Sequence, residues 1–184
     1  MAGYHVVLVH FPIALFMTAT LAILLRAISD GPLAKATDRA LVPLLAVGLV
    51  VGVASYVVGL LVWPWEAIAS SPLGRNHMLL ATWTLTYWAL VLATRWIHGE
   101  AVWEGGMRWI MAGLAILGSA LLGITGTLGG HLVGIYTNVS DALRLLGWEV
   151  YTTFYLPDLT LILIVIGAIV LSAIGIVTPR LRRA

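Results

Sequence analysis

Charged residues come in short bursts along this chain, and the stretches between them are almost wholly apolar. From Met1 to Leu25 there is no Lys, Arg, Asp or Glu. Crossing a bilayer takes roughly 20 apolar helical residues at about 1.5 Å rise each, and this run is long enough. The same criterion predicts five spans: about Tyr4 to Leu25, Ala40 to about Trp63, about Asn76 to Thr94, Trp109 to about Gly130, and Leu159 to Val177. The polar turn SDGPLAKATDR, with Gly31 and Pro32, reverses the chain after the first span. Trp-rich linkers of the interfacial type flank the third.

The expected fold is therefore all-α: an integral membrane protein with a four-helix up-down bundle over residues 1–134 and a fifth C-terminal span within 158–184. Between them, residues 135–157 are less apolar and rich in aromatics. Ser140-Asp141 reads there as a helix start, and ALRLLGWEVY as an amphipathic segment in the interface plane. Of the ten basic residues, Arg26, Lys35, Arg39, Arg95, Arg108, Arg180, Arg182 and Arg183 fall on one side of the membrane, against Arg75 and Arg144 on the other. That bias places the N-terminus outside, on the periplasmic face of a bacterial inner membrane. The opening MAGYHVV lacks a basic region, so the first span reads as retained rather than as a cleaved leader.

Composition agrees with the pattern and narrows the chemistry. The 184 residues are 61% hydrophobic and only 10% charged, with mean hydropathy +1.02, which excludes an ordinary soluble domain. A net charge of +2 gives no case for nucleic acid. There is no cysteine, so disulfides, thiolate clusters and covalently attached c-type haem are excluded. Nucleophile–base patterns, phosphate loops and dinucleotide fingerprints are missing; GTLGG ends a predicted membrane helix instead of following a strand.

The chemistry that remains rests on histidine. His10 lies inside the first span, two residues before Pro12, and an ionisable group at membrane depth is a functional hypothesis by default. His77 opens the third span, His131 ends the fourth, and His5 precedes His10; all four fall toward the outside face, while His98 falls inside. In an up-down bundle, spans one and three are diagonal, so His10 and His77 suit the two axial positions of a non-covalent haem b. His131, with His5, would serve a second haem or a quinone. Arg75 and Arg144 are candidates to neutralise a propionate. Gly126 and Gly130 belong to a glycine stripe that serves either helix contact or clearance for a flat cofactor.

The leading expectation is a b-type cytochrome subunit passing electrons between a partner redox protein and quinone or another carrier. Such a small bundle would work with other subunits of a membrane redox complex. Two further readings stay open: an assembly subunit whose histidines only pack, and a copper or zinc site formed by His10, His77 and His131.

VHFPIAL in the first span, the His opening the third, and GG-x-LV-x-x-Y at Gly129, Gly130, Leu132, Val133 and Tyr136 resemble the bacterial membrane family named domain of unknown function 2231. The likeness covers about the first 140 residues. It implies a four-span bundle with histidines at the positions of His10 and His77, and no defined biochemical role. The fifth span, the aromatic 135–157 segment and His131 within the glycine motif depart from that pattern.

Overall fold

The computed structural model describes residues 2–154, 159, 160, 162–167, 169 and 170. Among these there is no strand. The helices are α1 (Ala2–Ile28), α2 (Pro32–Arg39), α3 (Leu41–Val62), α4 (Trp65–Ala69), α5 (Pro72–His98), α6 (Met107–Leu132) and α7 (Asn138–Leu145), with a 3-10 turn at Gly99–Trp103. Among the described residues, three stretches are long and apolar enough to cross a membrane: Gly3–Ile28, Pro32–Val62 and Met107–Leu132. At 27 residues, α5 is as long as α1 but less apolar, because threonines interrupt LLATWTLTYWALVLAT. Thr82, Thr86 and Thr94 return their hydroxyls to carbonyls one turn back, so these polar groups are satisfied within the helix. Little polar contrast runs around the long helices. Their outer faces carry Val7, Phe11, Leu21, Val50, Leu61, Leu90 and Ile116, as expected where the surroundings are as apolar as the core.

The four long helices close into a ring, with α1 packed on α3 and α6, and α5 packed on the same two. Thus α1 and α5 are diagonal, the placement expected of the first and third spans. His5 near the start of α1 meets Ser55 near the end of α3, and His77 near the start of α5 meets Thr125 near the end of α6. Both pairs are therefore antiparallel, and the starts of α1 and α5 share one end of the bundle.

Buried positions in the two pairs follow one template. Pro12, Phe16, Ala19 and Ile23 of α1 match Thr84, Trp88, Val91 and Arg95 of α5 when His5 is set on His77. Leu41, Leu45, Gly48 and Gly52 of α3 match Met111, Ala115, Gly118 and Leu122 of α6 when Gly59 is set on Gly129. The bundle is an internal repeat of one helical hairpin.

The end away from His5 is locked by charge. The predicted polar turn instead contains α2, which buries Asp38 beneath Arg95 in a two-pronged pair at 2.8 and 3.0 Å. Glu100 bridges Arg95 at 2.9 Å and Arg26 at 3.6 Å, while Asp30 pairs with Arg26 and Arg108. At the other end, α7 begins at Asn138, two residues before the predicted Ser140. Leu143, Trp148 and Val150 bury against Leu73 and Leu128, and Asn76 donates to the Thr153 carbonyl at 2.7 Å. The 135–154 stretch is thereby tied across the end of the bundle that carries His5 and His77. Residues 161, 168 and 171–177 of the predicted fifth span and all of the basic tail lie outside the described residues; Leu159, Thr160, 162–167, 169 and 170 are helical.

Candidate functional site

Between the four long helices, at the His5 end, lies a mainly apolar cavity of about 300 Å³. That volume is at the lower end of the range for small-ligand sites, about 300 to 1,000 Å³. His5 and His77 enter its lining from the diagonal helices.

Each imidazole is held in the same way. His5 Nδ1 lies 3.0 Å from the Ser55 carbonyl oxygen, and His77 Nδ1 lies 3.1 Å from that of Thr125. A carbonyl can only accept, so Nδ1 carries the hydrogen and donates it in both rings. Nε2 is then left with a free lone pair, the form in which neutral imidazole ligates a metal. One turn beyond each carbonyl is a glycine against which the ring packs. A Cβ at Gly59 would lie 2.8 Å from His5 Cε1, and one at Gly129 would lie 2.9 Å from His77 Cε1. Both distances are too short for a real side chain, so neither imidazole can sit where it does unless the facing residue lacks a Cβ. Thr84 and Thr125 join their hydroxyls at 2.8 Å beside this site and tie α5 to α6.

The structure distributes the predicted residues unevenly. His10 lines the same cavity but is exposed, and its Nδ1 donates at 2.6 Å to Val6 of its own helix. The imidazole of α1 that mirrors His77 is His5, not His10. Gly126 and Gly130 both line the cavity, and a Cβ at Gly126 would meet nothing within 4 Å.

His131 does not join this cavity. It follows Gly129 by two residues, about 200° around α6, and so faces away from the ring that Gly129 supports. His131 is buried instead among aromatics, with Nδ1 2.8 Å from the Tyr151 hydroxyl and the Tyr136 ring edge-on at 4.9 Å; its Nε2 is buried and has no partner among the described residues. The three-histidine metal set of His10, His77 and His131 is therefore not assembled. Among the described residues, no three His, Cys, Asp or Glu side chains group to hold a metal ion.

Neither predicted propionate partner reaches the cavity. Arg75 sits over the Phe154 ring at 5.1 Å, and Arg144 pairs with Glu149 at 3.0 Å and Asp141 at 3.7 Å. That His5 and not His10 matches His77 was recoverable from spacing. Eleven residues separate His5 from Phe16 and His77 from Trp88, and eleven also separate Gly48 from Gly59 and Gly118 from Gly129. Eleven residues is close to three helical turns, so each set shares a face. No family model, curated protein or solved structure matches the chain.

Proposed function

We propose that this protein is a b-type cytochrome subunit of a bacterial inner membrane, in which His5 and His77 would together hold one non-covalent haem near the periplasmic face. The observation that carries this reading is the paired construction of the two imidazoles. Diagonal helices each present a ring whose Nδ1–H is spent on a neighbouring helix carbonyl, whose flank is cleared by a glycine, and whose Nε2 is left for a ligand. Packing histidines have no need for that construction twice over at matching positions.

When bound, haem supplies a one-electron iron couple. The residues of this chain fix the rest. The carbonyls of Ser55 and Thr125 set the tautomer and orientation of the two imidazoles, and hydrogen bonds of this kind would also raise their basicity as ligands. Pro12, Ile13, Phe16, Leu85 and Leu122 keep the cavity apolar, which excludes water and tunes potential. With little mass beyond the helices, the chain would receive or deliver electrons through a partner redox subunit and the quinone pool.

The test is the visible spectrum of the full-length protein purified from haem-replete cells. A reducible Soret band with low-spin, two-imidazole features is expected. A colourless protein from the same preparation would leave the bundle as a packing or assembly subunit.

A further inference from the structure

One of the differences between the two hairpins falls at a pair of positions beside the cavity. Tyr56 follows Ser55, Thr82 lies five residues after His77, and their hydroxyls meet at 2.9 Å, bolting α3 to α5. Counted in the same way from Thr125 and His5, the matching positions of the other crevice hold Gly126 and His10. Both of these residues are exposed, both line the cavity, and a side chain on Gly126 would meet open space. The α3–α5 crevice is bolted at this level. The bolt of the other crevice, Thr20 to Ser119 at 2.7 Å, lies deeper along the bundle, and past it exposed His10 and Gly126 leave an opening between α1 and α6. These are two of the helices apolar enough to cross a membrane, so the opening faces lipid.

His10 stands at that mouth, two turns in from the start of α1, with Nδ1–H given to Val6 and the Nε2 lone pair unspent. An acceptor at this depth has no water to satisfy it, and an acyl chain offers it nothing. A flat apolar ring bearing a hydroxyl satisfies both the crevice and the acceptor. We propose that the α1–α6 crevice is a lateral portal that binds a membrane-dissolved hydroquinone, its hydroxyl donating to His10 Nε2 and its ring seated over Gly126. The portal gains its use from the cytochrome reading, on which it rests for purpose; the binding itself needs no haem.

The experiment measures saturable binding of a labelled short-tailed benzohydroquinone to full-length protein in nanodiscs, with the haem spectrum recorded on the same samples. His10→Leu should weaken binding about tenfold, the size of one lost hydrogen bond. The double variant His10→Thr, Gly126→Tyr rebuilds the Tyr–Thr bolt of the other crevice and should weaken it at least as much. Should that double variant fail to assemble, His10→Leu alone decides. Wild-type binding that does not saturate, or variants that bind as wild type does, would overturn the portal. A haem spectrum without saturable binding sinks the portal alone, whereas saturable binding without haem sinks the cytochrome reading and leaves the portal standing.

Discussion

Phe16 and Trp88 lie face to face across the bundle, ring centroids 4.9 Å apart and planes within 3° of parallel. They are the matching residues of α1 and α5, so the stack marks where the two hairpins meet about their common axis. Each ring is backed by a glycine of its own partner helix: a Cβ at Gly48 would lie 2.9 Å from Phe16, and one at Gly118 would lie 2.9 Å from Trp88. Three turns along the same faces, His5 and His77 sit against Gly59 and Gly129 by the same rule. The central aromatic pair closes the middle of the bundle, and the cavity begins where the rings end and the imidazoles take over.

Glycines in this bundle are not equivalent, and alanine separates them. Gly129→Ala would drive a methyl group into the His77 ring, and Gly59→Ala into that of His5. Each should cost about 1–3 kcal/mol, the scale for overpacking a close contact, and, if the proposed cytochrome reading holds, should disturb the haem spectrum. Gly126→Ala meets nothing and should be neutral or stabilising by up to about 1 kcal/mol through helix propensity. Thermal unfolding in detergent, with a spectrum of each variant, checks the order.

The ligand assignment makes a separate prediction. His5→Ala and His77→Ala should each abolish the low-spin two-imidazole spectrum, because each removes the only Nε2 its helix directs from this construction. His10→Ala should keep that spectrum, since His10 is bonded within its own helix. If His10→Ala bleaches the protein while His5→Ala does not, the axial pair is the one that sequence reading favours.

Much of this was legible in the sequence. Charge-free runs gave the helices, and alternating connections gave the diagonal placement that α1 and α5 adopt. His10 lies deeper in the first run than His5, but depth does not say which way a ring points. Orientation depends on which helix faces which, and it emerges only when the eleven-residue spacings of both hairpins are superimposed. Asp38 was hidden for a related reason. In SDGPLAKATDR it reads as a turn residue, and only the return of α5 brings Arg95 over it. His131 shows the same limit: its neighbours in sequence are glycines of the cavity wall, yet two residues of helical rotation carry it to Tyr151.

The Asp38–Arg95 pair should be the most sensitive point of the opposite end. Asp38 is 2% exposed and Arg95 8%, and removing one partner of a buried pair leaves the other charge uncompensated. Asp38→Asn should destabilise the protein by about 3–5 kcal/mol, less whatever Glu100 recovers for Arg95. Replacing both, Asp38→Leu with Arg95→Met, should cost less than the sum of the single changes. Chemical denaturation of the four proteins of this cycle gives the coupling; additive costs would mean that the pair does not act as a unit.

Asp30 carries the pH dependence at that end. Hydrogen bonds from Arg26 and then Arg108 hold its carboxyl below the ordinary value of 3.8. A depressed folded value means that folding favours the ionised form, so the contribution is complete above pH 3.8 and is lost as pH falls below it through the folded value. Stability measured downward from pH 5 should therefore show an acid limb beginning near pH 3.8, and Asp30→Asn should flatten it. Because the Asp30 side chain is 57% exposed, the same limb should shrink in about 1 M salt, where screening acts within roughly 3 Å. An unchanged limb in Asp30→Asn would mean that Asp30 is not the source of the acid sensitivity.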